Sequence, residues 1–268
     1  MNDLILKARR ALQMHEVPPE LEPYPYEKEV GDGTYGKVYL TKDGQFAVKV
    51  APKRGIEECT RIRREIEIQS KISMKYIVPL ITSCEDNHNF YMVMKYYPGR
   101  DFFYFKFSQL SEEKIIKYIS QLVEAVAYLH SENIIHRDIK PENILLDSDD
   151  NIGLCDFGFA TPVNRLNKSG VGTFDYAAPE IYDMEEYDFG VDLWGIGVVT
   201  YELLTRKSPF LGRNTDITRR NILEVNLTYP DSLSLESVNF MKSVLKRPAS
   251  ERTKAKDLLL HPWLQKKQ

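Results

Sequence analysis

The spacing of hydrophobic positions changes character roughly a third of the way along the chain. From Tyr26 to about residue 98 it favours strands. "KVYLTKDGQFAVKV" places Asp43-Gly44 between two β-rich runs, a strong hairpin signal because both residues tolerate the positive φ that tight hairpin turns require. "GIEECTRIRREIEIQSKI" follows, with Ile62, Ile66 and Ile68 on one side of an amphipathic helix. "YIVPLITSCEDNHNFYMVMKYY" then predicts two more strands around a polar turn from Glu85 to Asn89. Beyond Pro98-Gly99 the period becomes helical. "SEEKIIKYISQLVEAVAYLH" opens with Ser111 as an N-cap, and the apolar run from Leu193 to Tyr201 predicts a helix buried on all sides. The pattern predicts an α+β chain: a β-rich lobe over 26–97, joined near Lys95 to Gly99 to a mainly helical lobe over 98–265, with a cleft between them.

Composition narrows the classes. The 268 residues are 43% hydrophobic, enough for a sizeable core, and carry a net charge of −3. That balance argues against binding nucleic acid through general phosphate attraction. Three cysteines, Cys59, Cys84 and Cys155, lack metal-ligand spacing and read as reduced thiols of a cytoplasmic or nuclear protein. No apolar stretch approaches the ~18 residues of a membrane span. In the extension 1–25, Leu4, Ile5, Ala8 and Leu12 recur at helical spacing, but Asp3 and Glu16 disfavour a mitochondrial leader. A short packed helix or a tail is the expectation, with "VPPELEPYP" as a stiff linker.

"VGDGTYGKVYL", residues 30–40, contains G-x-G-x-x-G. Three glycines at that spacing let backbone N–H groups approach phosphate oxygens without a Cβ in the way. A dinucleotide-binding turn needs them to open a helix after a strand, whereas here they sit between strands, as in a flap over a nucleotide. Downstream lie Lys49 in "FAVKV", Glu65 on the predicted helix, "HRDIKPEN" with Asp138, Lys140 and Asn143, "DFG" at Asp156 to Gly158, "APE" at 178–180 and "DLWGIG" at 192–197.

In this order the motifs resemble a eukaryotic protein kinase catalytic domain over residues 26–265, which implies the two-lobed kinase fold, ATP and Mg²⁺. Phosphoryl transfer asks the protein for positioning and charge neutralisation more than covalent chemistry. By the resemblance, Lys49 holds the α- and β-phosphates and Glu65 fixes it through an ion pair. Asn143 and Asp156 bind the metal. Asp138 accepts the substrate hydroxyl proton, Lys140 steadies the γ-phosphate, and Thr173 bridges the two. Val30, Gly31, Gly33 and Gly36 belong to the flap. Val38, Ala47 and Leu145 sandwich the adenine, Met94 is the gatekeeper before hinge residues Lys95, Tyr96 and Tyr97, Asp101 reaches the ribose, and Glu142 also lines the site. His136 packs beneath Phe157, and Arg252 pairs with Glu180.

Lys140 in "DIKPEN" resembles the Ser/Thr branch. "RREIEIQS" with Gln69, "GTFDYAAPE" and the closing "HPWL" resemble Aurora kinases, while Lys95, "SMKY" and Phe159 depart from their pattern. Checkpoint-type and calmodulin-dependent-like kinases stay open, as do a pseudokinase scaffold and a small-molecule kinase. The Aurora likeness implies a role in mitosis and chromosome segregation, protein substrates with arginine held by Glu142 and Glu202, and a phosphorylation switch at Ser169 read by Arg137. It also implies an activating protein on the small lobe, a monomeric catalytic domain, and spindle or chromosome association, with no direct nucleic acid or membrane partner.

Overall fold

Leu21 lies at the foot of a five-stranded antiparallel sheet, buried to 1% exposure in the turn Pro19–Leu21. It packs with Val48, Tyr91 and Val93, so in the proline-rich segment expected to be a stiff linker one leucine is anchored to the sheet. Composition signals stiffness but not whether an apolar side chain finds a pocket. The computed structural model describes residues 18–33, 36–99, 101–105, 110–164 and 174–266.

The sheet comprises β1 (Tyr26–Gly33), β2 (Gly36–Thr41), β3 (Phe46–Pro52), β4 (Leu80–Glu85) and β5 (Asn89–Lys95), in the order β1-β2-β3-β5-β4. The β2–β3 turn forms where Asp43-Gly44 predicts it. Asp43 accepts from the Thr41 hydroxyl at 2.6 Å and the Gln45 N–H at 3.0 Å, while Gly44 takes φ 71°. At Gly36 a Cβ would collide with the Val50 carbonyl, so β2 can approach β3 there only without a side chain.

The chain divides into two units, and the division is not a single cut. One unit falls within Met1–Ile62 and Leu80–Tyr96, the other within Arg63–Pro79 and Tyr97–Gln268. The first part of α1 (Ile56–Gln69) thus goes with the sheet and its last turns with the helices. Hydrogen bonds explain the second assignment. Gln69 Nε2 donates to the Val78 carbonyl at 2.9 Å, Val78 N–H to Leu154 at 2.9 Å, and Leu154 N–H to Tyr76 at 2.9 Å.

The helical unit is built on α2 (Phe102–Phe105), α3 (Glu112–Ser131), α4 (Pro179–Tyr182), α5 (Gly190–Thr205), α6 (Thr215–Leu223), α7 (Leu235–Val244) and α8 (Ala255–Leu258). Ser111 caps α3 by accepting from the Lys114 N–H at 3.3 Å. α5 is buried from Gly190 to Leu203, which is why its sequence is apolar on every face. Two short ladders lie in this unit: β6 (Ile134–Ile135) with β9 (Thr161–Pro162), and β7 (Ile144–Leu146) with β8 (Ile152–Leu154). They frame the loop on which the candidate chemistry sits.

Candidate active site

The loop from His136 to Asn143 leaves β6 and returns as β7, and α5 holds it from below. Asp192, fully buried, accepts the N–H of His136 at 3.0 Å and of Arg137 at 2.8 Å, and meets His130 Nε2 at 2.9 Å. Burial alone would push its carboxyl pKa up. The bond and charge of His130, with the His136 N–H, overcome this and hold it below the usual value. Three residues on, a Cβ at Gly195 would lie 2.7 Å from the Ile139 Cβ, so the glycine lets the loop rest directly on the helix. Arg137 and Asp156 take φ of 69° and 61°, a left-handed conformation costing about 1–3 kcal/mol each for a non-glycine residue. The loop is held in shape against its own backbone preference.

Asp138, 3% exposed, is the centre of the arrangement. Its Oδ2 lies 2.8 Å from Lys140 Nζ and 2.9 Å from Asn143 Nδ2, which also donates to the Asp138 carbonyl at 2.9 Å. These bonds fix the carboxylate in one orientation. They also commit the Asn143 nitrogen, leaving its amide oxygen as the donor atom for a cation. Asp156 accepts the Gly158 N–H at 3.2 Å. Asn143 and Asp156 therefore present oxygen donors, the kind a hard divalent ion prefers. Among the described residues no group of three or more His, Cys, Asp or Glu could hold a metal alone. A two-residue oxygen set suits an ion that takes its remaining ligands from phosphates and water.

His136 is not placed for base catalysis. Its Nδ1 accepts the Asp138 N–H at 3.3 Å, which puts the ring proton on Nε2, 3.1 Å from the Cys155 carbonyl. The ring meets Phe157 edge to face at 5.0 Å, so it ties the loop to the segment that carries Asp156. Arg137 donates to the Phe159 carbonyl at 2.6 Å and the Tyr187 hydroxyl at 2.8 Å, both neutral acceptors. Arg252 is sealed in a bidentate pair with Glu180, at 2.6 and 2.9 Å, and also reaches the Gly190 carbonyl. Glu202 accepts the Tyr176 hydroxyl at 2.8 Å. Burial, then this carboxylate, pushes the phenol pKa far up, so Tyr176 remains a donor.

The other site residues sit on their own elements. Lys49 faces Val38 across the β2–β3 ladder and Met92 across β3–β5, while Ala47 faces Leu40 and Met94. Strand alternation puts Val38, Ala47, Lys49 and Met94 on one side of the sheet, with Val48 and Val93 packing on the other. Val30, Gly31 and Gly33 lie on β1, where Gly31 pairs with Val38 and Gly33 with Gly36. Lys95 ends β5, and the Tyr96 N–H donates to the Gln45 carbonyl at 2.9 Å.

In the helical unit Tyr97 is buried against Gly153, where a Cβ would strike its ring; burial, then the charge of Asp147, pushes its phenol up to about 12. Leu145 is the residue of β7 that is not fully buried. Asp101 accepts the Tyr104 N–H at 3.1 Å at the start of α2, and Glu142 is exposed beside buried Asn143. Glu65 on α1 is 2% exposed, a depth at which a carboxylate must be neutralised. Thr173 and Ser169, with residues 1–17, lie outside the described residues.

Asp192, Tyr187, Tyr176 and His130 are the functional supports that sequence reading missed. Asp192 had a signal, an ionisable residue inside an otherwise apolar helix. The other three had none, because their partners lie 26 to 62 positions away in the chain.

The pattern of the protein kinase domain family matches residues 24–264. Over 256 residues the chain is 36% identical to Aurora kinase of Yarrowia lipolytica, covering 91% of this chain and 69% of that one. It is 34% identical to Aurora kinase C of Mus musculus over 88% of this chain and 90% of that protein. Aurora kinase A-A of Xenopus laevis is 35% identical over 91% of this chain, which spans 62% of the frog protein's length.

Proposed function

The chain belongs to the protein kinase family and is of Aurora type, a class of ATP-dependent protein Ser/Thr kinases, and we propose that it transfers the ATP γ-phosphate to Ser/Thr hydroxyls of proteins whose acceptor follows an arginine. The observation carrying this reading is the Asp138 carboxylate held by Lys140 and Asn143. A substrate hydroxyl at that carboxylate would hand its proton to Asp138 as the oxygen attacks, while Lys140 offsets charge on the transferring group. ATP supplies the phosphoryl group, and a divalent ion, Mg²⁺ by its preference for oxygen and phosphate, neutralises its charge when bound. Asn143 and Asp156 would hold that ion. Lys49 would take the α- and β-phosphates and the buried charge of Glu65 would hold Lys49. Val38, Ala47 and Leu145 would enclose the adenine, Met94 to Tyr97 would line its edge, and Asp101 would meet the ribose. Val30, Gly31, Gly33 and Gly36 would close over the phosphates.

For specificity, Glu142 is exposed and Glu202 accepts the Tyr176 hydroxyl, and these two carboxylates would hold the arginine guanidinium by charge-assisted bonds. A role in mitosis with spindle or chromosome association, and an activator on the sheet unit, fit the Aurora likeness. Thr173 and a Ser169 phosphate near Arg137 belong to the same proposal. The neutral partners of Arg137 support it, because they position the guanidinium without cancelling its charge.

The test is a positional peptide library with the wild-type chain and the Asp138→Asn variant. Wild type is expected to label Ser/Thr peptides with arginine two residues before the acceptor. The variant is expected to keep ATP binding and lose about 10²–10⁴-fold in kcat. Near-wild-type turnover by the variant, or preference for acidic or proline-directed sites, refutes the respective part.

A further inference from the structure

Away from the catalytic loop the helical unit holds a cavity of about 320 Å³ between the end of α3, the start of α5 and the segment leading into α8. Its size falls at the lower end of small-ligand sites, roughly 300–1,000 Å³. Ala127, Phe189 and Leu193 give its lining an apolar part, and His130, Lys254 and Lys256 line it as well. Both lysines are exposed, and neither pairs with a carboxylate among the described residues. Besides the lysines and His130, which meets Asp192, two ionisable groups line the cavity. Asp188 accepts the Gly190 N–H at 2.9 Å, and Arg252 is paired with Glu180. Among the lining side chains outside the His130–Asp192 and Arg252–Glu180 pairs, the two lysines outnumber the one carboxyl, that of Asp188.

We propose that this cavity binds a small amphiphilic anion, its apolar body against Phe189 and Leu193 and its carboxylate or phosphate headgroup at Lys254 and Lys256, and that occupancy is felt at the catalytic loop. The link is short. His130 stacks on Phe189, with ring centroids 4.5 Å apart, and its Nε2 meets Asp192. Asp192 in turn holds the N–H groups of His136 and Arg137. A body wedged against Phe189 and His130 shifts the imidazole, and the carboxylate beneath it sets the loop that carries Asp138. Nothing in this route depends on the identity of the phosphorylated substrate.

The test titrates the full chain with octanoate, octyl phosphate and neutral 1-octanol, following methyl resonances of Ala127, Leu193 and Ala255 and the amides of His136 and Arg137. Saturable methyl shifts with at least one anion are expected, with the two amides moving along the same curve and 1-octanol about tenfold weaker. Comparing octanoate with octyl phosphate tells which headgroup is preferred. The double variant Lys254→Glu/Lys256→Glu, with both substitutions on exposed side chains, is expected to weaken the anion about tenfold, and Ala127→Phe to abolish binding by filling the cavity. Absence of saturable methyl shifts at millimolar concentration, equal binding of 1-octanol, or indifference to the charge reversal overturns the site. Methyl shifts with still amides overturn the coupling.

Discussion

Replacing Asp192 by Asn tests whether α5 shapes the catalytic loop from below. The carboxylate accepts three bonds in a fully buried position: two loop N–H groups on separate oxygens, at 2.8 and 3.0 Å, and the His130 ring at 2.9 Å. An asparagine has one acceptor oxygen, so one of the two N–H groups must face an amide NH₂ and go unmet. Orphaning a buried donor costs about 1–3 kcal/mol, and at about 2–4 °C per kcal/mol for a chain of this size the melting temperature should fall by about 2–12 °C. The orphaned group also releases the constraint that keeps Arg137 left-handed, so kcat should fall further than the lost stability explains, with KM for ATP nearly unchanged.

The pH dependence carries its own signature. The Asp192 carboxyl titrates below its ordinary 3.8 in the folded protein, so its stabilisation is present above that value and lost as pH falls through the lower, folded value. The stability gap between wild type and Asp192→Asn should therefore be widest at neutral pH and narrow in acid. Denaturant unfolding across pH with single-turnover kinetics measures both. A variant with wild-type stability and turnover would refute the reasoning.

Arg252→Met should destabilise by about 3–5 kcal/mol because it strands Glu180 in a site where the arginine is itself 4% exposed; the double variant with Glu180→Gln should recover a large part, as read by thermal unfolding. Leu21→Ala should cost about 2–5 kcal/mol in denaturant unfolding, because the leucine is buried under the sheet; a loss under 0.5 kcal/mol, about the size of a surface substitution, would mean that the segment is not anchored there. Ser169→Ala should lower the activity of fully phosphorylated enzyme, and Arg137→Ala should lower it likewise; equal activity in both variants would remove the proposed switch.

Much was legible locally. The Asp43-Gly44 hairpin, the Ser111 cap and the burial of α5 from Gly190 to Leu203 follow from residues within a few positions of one another, because turn sterics, capping bonds and hydrophobic period are short-range. Asp138, Lys140 and Asn143 lie within one short motif, and the kinase resemblance of that motif already implied that they act together. What the chain order could not tell was what supports them. Asp192 reaches the loop from 55 and 56 residues away, and Tyr187 reaches Arg137 from 50. The return of Arg63–Pro79 to the helical unit rests on bonds from Tyr76 and Val78 to Leu154. Leu21 reads as part of a linker until a pocket of Val48, Tyr91 and Val93 is there to receive it. Local pattern determines which elements form; only the folded chain decides which buried polar group finds its partner, because that depends on the packing of helices and ladders far apart in sequence.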